Sequence, residues 1–374
     1  MRTGRLWVRA GLGMALLLSI NGARAQGPRG EALPPPISGG QIFSGQTTLP
    51  PPPTMEYRVD QHGHGEAHEA SEEHHEGCEC GHEEERGLFF VGDFLLVRPR
   101  RRALDFVINA PVLGNNVIGK VESLDWDTVG AYRIAAGYRL GHDWEVGGTY
   151  FYLHSKDDRT ISAAPAGALF ATLTAPGIDQ ANSAVGRTNL DMDIIDVDLA
   201  KRIHVCEGLV LRLAAGGRVA EIKQKLFANY TGATAGTGAA VSSPISFDGI
   251  GLEAGGEAWY TVGRGLGVYA RMKASLMTGQ FRTRLSQSIN GGATPLIDVS
   301  DKFTKVVPVT EMGLGIAWQN SSENIRVSIG YEIANFFNMV DSVDFVDGTS
   351  FGKIQHRQSD LSYDGLAVSL GLFF

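Results

Sequence analysis

Leu366-Ala367-Val368-Ser369-Leu370-Gly371-Leu372-Phe373-Phe374 is the stretch that decides the fold. In a strand, side chains alternate between two faces. Leu366, Val368, Leu370, Leu372 and Phe374 then share one apolar face, and Ala367, Ser369 and Gly371 share a small, semi-polar one. A strand of this kind, running into an aromatic terminal residue, suits the closing strand of an outer-membrane barrel, with one face against lipid. A buried terminal strand of a soluble sandwich would carry the same alternation, so the choice rests on the rest of the chain.

Residues 1–25 read as a secretory signal peptide. Arg2, Arg5 and Arg9 give the basic start, Gly11 to Ile20 a short apolar core, and Ala23-Arg24-Ala25 a cleavage site that leaves Gln26 first. The apolar core is too short to span a bilayer, and no later run approaches eighteen apolar residues. The cleavage site has no Cys, which argues against a lipoprotein. An exported chain of average hydropathy, with 48 glycines and 9% aromatics, fits a barrel whose alternating strands conceal their lipid-facing residues.

The formal charge of −8 becomes −12 once the four signal arginines are gone, and residues 57–86 hold −8 of that. The remainder is close to neutral and carries no basic stripe, which excludes a nucleic-acid partner. Residues 26–56 are rich in Pro and Gly, with Pro34-Pro35-Pro36 and Pro50-Pro51-Pro52-Pro53, and predict an extended linker. Residues 57–86 are rich in Glu and His and predict a disordered tail.

From 87 to 374, ten alternating segments can be placed: 88–98, 129–140, 144–154, 190–203, 209–221, 247–260, 266–278, 304–318, 325–336 and 361–374. Their connections alternate between short (Gly141-His142-Asp143, Val205 to Gly208, Val262 to Gly265, Gln319 to Asn324) and long (99–128, 155–189, 222–246, 279–303, 337–360). Short periplasmic turns alternating with long external loops define an all-β fold: a transmembrane, antiparallel, up-and-down β-barrel of about ten strands, with eight or twelve as alternatives, and both termini in the periplasm. Residues 279–290 either extend the seventh strand or form a separate one. A change of phase near Ile194-Ile195 predicts a bulge in the fourth.

Several segments also resemble a known family. Phe89 to Pro99, Leu124-Asp125-Trp126-Asp127, Tyr132 to Leu140, Met192 to Leu199, Leu211 to Arg218, Phe247 to Gly251, Gly330-Tyr331-Glu332 and Tyr363 to Leu366 are similar, in this order, to the pore-forming outer-membrane barrels typified by the Legionella major outer membrane protein. The resemblance covers 87–374 and leaves out the acidic tail. It implies a barrel with pore activity and no catalytic residues. The terminal Phe resembles the signal read by the barrel-assembly machinery, a partner expected through the C-terminal strand.

By alternation, the face opposite the lipid holds Asp93, Glu145, Asp196, Asp198, Glu253, Glu257, Glu311 and Glu332, together with Arg133, Arg139, Arg202, Arg212, Arg218, Arg271, Lys273 and Arg326. Charges persist inside a barrel when water or opposite charges solvate them. Two readings follow: a water-filled pore whose lining sets a weak ion selectivity, or a paired network that fills a narrow lumen.

In the tail, His62, His64, His68, His74, His75, Cys78, Cys80 and His82 form a donor set for weak Zn, Ni or Cu binding, although the spacing matches no closed metal module. No cofactor is required. Cys206, in an expected periplasmic turn, could pair with Cys78 or Cys80 in that oxidising compartment. His154-Ser155 is a weak catalytic suggestion, and Gly263-x-Gly265-x-Gly267 leads into a strand, so it is no phosphate loop. The sequence therefore points to a porin-like outer-membrane protein that is not an enzyme, with lipid and small solutes or ions as partners. The alternative is a non-conducting surface protein acting through loops such as 160–188 and 228–243, and an outer-membrane enzyme comes third.

Overall fold

A computed structural model describes residues 86–112, 118–344 and 355–374, the side chains of 342–344 and 355–357 excepted. The signal peptide, the linker, the His/Cys donor set and the rest of the acidic tail up to residue 85 lie outside the described residues.

In chain order the strands are β1 (Gly87–Arg101), β2 (Asp105–Ala110), β3 (Lys120–Ser123), β4 (Val129–Gly141), β5 (Trp144–Ser162), β6 (Ala168–Ala171), β7 (Gln180–Ala181), β8 (Ser183–Cys206), β9 (Leu209–Thr231), β10 (Ala239–Gly263), β11 (Leu266–Ile289), β12 (Thr294–Gln319), β13 (Ile325–Asp344) and β14 (Gln355–Phe373). Ten of these form a closed barrel in the order β1-β14-β13-β12-β11-β10-β9-β8-β5-β4, and every neighbouring pair is antiparallel. The stretch 366–373 lies in β14, which closes the cylinder onto β1 in a register running from Phe89↔Phe373 to Arg101↔Leu361. Closure leaves no unpaired edge, which is what allows a sheet to sit in hydrocarbon.

An apolar belt surrounds the barrel. Phe94, Ile134, Val146, Val197, Leu213, Leu252, Met272, Leu314, Ile329 and Val368, one from each barrel strand, all face outward and are exposed. Water would penalise each such side chain by up to about 1.5–3 kcal/mol, and hydrocarbon would not. The interior at this height carries the charged side chains. Nearer the long loops the pattern inverts. The outward positions become Asp193, Lys223, Asp248, Arg282 and Asp364, while Met192, Ile222, Phe247 and Phe281 turn inward and are buried.

That inversion accounts for two corrections. The strands run further toward the loops than the sequence segments did, β8 beginning at Ser183 and β12 at Thr294, because past the lipid the outer face is polar and the alternating apolar signal ends. Residues 279–290 extend the seventh barrel strand, β11. There is no bulge at Ile194-Ile195. The register there is continuous on both sides, and the shift in β8 comes at His204/Cys206. The apparent change of phase is an apolar inner wall replacing a charged one.

The short connections are tight. His142 and Asp143 have φ of 52° and 62°, and Arg264 and Gly265 have 52° and 78°. Positive φ at both central residues matches the right-handed twist of the flanking strands. A Cβ on Gly265 would stand 2.1 Å from the carbonyl oxygen of Gln319, so that turn has room only for glycine.

The sheet β3-β2-β6-β7, from the first two long connections, is folded into the loop end of the barrel. Phe106 and Leu169 are fully buried, in one apolar cluster with Leu153, Leu190, Met192, Ile222, Phe247 and Phe281 from the inner wall. The Phe106 ring lies over Gly186, where a Cβ would come within 3.1 Å of it. The Tyr230 hydroxyl donates to the Phe106 carbonyl, and the Ala175 N–H donates to Gln287 Oε1 at 2.8 Å. These contacts plug that end of the lumen with side chains.

Candidate functional site

Below the plug, at the height of the apolar belt, lies a cavity of about 260 Å³. Its wall includes Asp93, Arg133, Glu145, Asp196, Asp198, Arg202, Arg212, Arg218, Glu257, Arg271, Lys273, Glu311, Arg326 and Glu332. Arg139 and Glu253, the remaining two of the sixteen charged residues placed on the inner face by alternation, are paired to this group. Alternation puts these side chains inside because each lies an odd number of residues from an outward apolar neighbour, as Arg133 does between Tyr132 and Ile134.

Most of the charges fall into three groups. In the first, Arg133 reaches Asp93 at 2.6 Å and Glu332 at 3.0 Å, and Arg271 also pairs with Glu332. In the second, Arg218 holds Asp196 by two hydrogen bonds of 2.8 Å, contacts Glu253 at 3.1 Å and pairs with Glu311. Lys273 joins it, 2.9 Å from Asp196 and 3.2 Å from Glu253. In the third, near the short turns, Glu145 is shared by Arg202 at 2.7 Å, Arg212 at 2.9 Å and Arg139 at 3.5 Å, and Arg212 also meets Asp198 at 3.3 Å. Among the described residues, Glu257 and Arg326 make no ion pair within 4 Å.

Such a network is costly to desolvate, and it holds only where each charge keeps partners or water. Tight pairing of Arg218, whose side chain is 2% exposed, stiffens the wall. The remaining open volume and the unpaired Glu257 and Arg326 leave polar surface that a solute or water can occupy.

Aromatic rings line the turn end of the cavity. The Arg326 guanidinium carbon stands 4.3 Å from the Trp259 ring centre and 5.2 Å from that of Phe373, and the Arg139 carbon stands 4.8 Å from the Phe373 ring. Sequence reading had passed over Trp259 and Phe373, although their inward register followed from the same alternation. The plug residues were also passed over, because β2 and β6 are too short to show a period.

His154 gains a partner: its Nδ1 lies 2.5 Å from Asp191 Oδ1 on the outer surface. Ser155 points to the opposite face, inside the barrel and 1% exposed, so the two residues do not converge. Cys206 ends β8 and is exposed. Among the described residues, no group of three or more His, Cys, Asp or Glu side chains is placed to hold a metal.

Among solved structures, the chain is similar to the outer membrane protease OmpT of Escherichia coli, at 11% identity and a TM-score of 0.43, over 77% of this chain and 97% of that one. It is also similar to the toluene transporter TbuX of Ralstonia pickettii, at 13% identity and a TM-score of 0.32, over 78% and 89%. A third likeness is to the CymD monoaromatic hydrocarbon channel, at 9% identity and a TM-score of 0.28, over 78% and 89%. No curated protein matches the chain. Residues 83–374 match the family described as Legionella pneumophila major outer membrane protein precursor. With its ten-stranded barrel and its apolar belt, the chain belongs to the Legionella major outer membrane protein family, and it is a β-barrel of the outer membrane.

Proposed function

We propose that this barrel is a passive, porin-like pore for small solutes or ions, with its short turns and both termini in the periplasm, and that the described conformation is its closed form. The observation that carries the reading is the cavity at belt height, walled by charges of both signs and containing the unpaired Glu257 and Arg326. A lumen that served only as filling would need no such surface. The balanced charges favour weak ion selectivity. The apolar sheet β3-β2-β6-β7 then acts as the outer gate, and conduction requires it to move aside.

The plug itself favours a second reading, a non-conducting surface protein that acts through its loops. The two part in planar-bilayer recording of the refolded mature chain. Stepwise conductance supports the pore, and a folded barrel without steps supports the surface protein. An enzymatic role finds little support, since His154 and Ser155 lie on opposite faces of β5. The lipid of the outer membrane is the partner of the apolar belt, and we assign recognition by the barrel-assembly machinery to β14.

A further inference from the structure

Arg326 is placed unlike the other lumen cations. Its Nε and Nη2 donate to one acceptor, Gln319 Oε1, at 3.2 and 2.9 Å. Among the described residues, no carboxylate lies within ion-pair distance, and its Nη1 has no protein acceptor. Its charged neighbours include Glu257 and Glu323 of opposite sign and Arg202 and Arg139 of like sign. Of these, Arg202 and Arg139 pair with Glu145, at 2.7 and 3.5 Å. The Arg326 guanidinium carbon lies over the Trp259 and Phe373 rings, 4.3 and 5.2 Å from their centres, in cation–π contacts that hold the group without using its donors. The residue lines the cavity. A guanidinium held on rings, with donors left over and like charges beside it, is arranged for a planar or tetrahedral anion.

We propose that Arg326 is the centre of a subsite at the turn end of the lumen for the carboxylate or phosphate group of a small anionic ligand. Two sources could supply that chemistry. One is a free solute entering from the periplasm. The other is Glu83-Glu84-Glu85 of the same chain, which directly precedes the first described residue, Arg86. The subsite depends on the pore reading only for the route by which a free anion would arrive.

The test is isothermal titration of the folded mature chain in detergent micelles with succinate and, separately, with inorganic phosphate, and with neutral succinamide as control. Four proteins are compared: the parent, Arg326→Gln, Arg326→Lys, and the triple variant Glu83→Gln, Glu84→Gln, Glu85→Gln. The parent should bind at least one of the two anions and not succinamide. Arg326→Gln should weaken binding on the order of 10–100-fold, the worth of a charge-assisted contact. Arg326→Lys, which keeps the charge and loses the fork, should fall between, and it carries the test alone if Arg326→Gln does not fold. Binding in the triple variant about 10-fold tighter than in the parent assigns the chain's own glutamates as a competing occupant, and unchanged binding assigns the site to free solute. Equal affinity in parent and both Arg326 variants, or no heat from either anion in the parent and the triple variant, overturns the subsite. Calorimetry needs no conduction, so a barrel that binds anions but shows no bilayer steps keeps this inference and loses the pore reading.

Discussion

Arg218 holds Asp196 across the β8–β9 pair with two parallel hydrogen bonds of 2.8 Å, while the same guanidinium contacts Glu253 and Glu311 on two further strands. One cation thereby ties together β8, β9, β10 and β12. Its loss would leave three carboxylates facing Lys273 alone. Breaking a buried pair on one side costs about 3–5 kcal/mol. We therefore expect Arg218→Gln to lower barrel stability by about that amount, read as loss of the heat-modifiable folded band in a denaturant series. Stability within about 0.5 kcal/mol of the parent would mean that water already carries these charges.

Lipid contact can be separated from lumen contact. Leu213 and Ile329 face outward near the middle of the belt, and Leu211 lies one outward position nearer the turn. Leu213→Arg and Ile329→Arg should each cost about 2–4 kcal/mol in reversible unfolding from bilayers. Ser328→Arg places the same charge in the cavity wall and should cost less. Equal losses at all three sites would contradict the inside/outside assignment.

Orientation is open to chemical labelling. In a chain lacking its own cysteines, a cysteine replacing Glu323 in a short turn should stay hidden from an impermeant reagent on intact cells. One replacing Gly177 in a long connection should react. The opposite pattern would place the short turns outside.

The lumen charges also bear on conduction. Replacing Arg133, Arg212 and Arg271 by Gln removes three of the cavity's cations and takes from Asp93, Glu332 and Asp198 the cations they pair with. If solutes pass along this wall, the reversal potential under a salt gradient should move toward cation selectivity. A folded triple variant with unchanged selectivity would place the ion path elsewhere.

The ten barrel strands and their turn ends were legible because hydrocarbon demands an apolar residue at every second position, as along Leu366 to Phe374. The turn ends were fixed by residues such as Gly265, whose positive φ limits the choice. The loop ends were not legible, and Ile194 and Ile195 show why. Ile194 is inside and 4% exposed, and its neighbour Ile195 is outside and 52% exposed. Two apolar neighbours erase the alternation at the point where the charged lumen gives way to the plug. The inner-face charges follow from strand period alone, whereas their grouping around Glu145, Asp196 and Glu332 depends on barrel closure, which brings Glu332 of β13 to Arg133 of β4. The plug was invisible because β2, β3, β6 and β7 have two to six residues each, too few to carry a period.

The central claim is a polar path closed by that plug. Its most direct test is single-channel recording of the parent beside a variant in which residues 103–127 are replaced by a short Gly/Ser linker, with folding of both checked by heat modifiability. The expected result is brief, infrequent openings in the parent and longer-lived openings in the variant, because removing Leu104, Phe106, Val107, Leu124 and Trp126 takes β2 and β3 out of the plug and leaves β6 without its β2 partner. A folded variant barrel that passes no current would contradict the claim.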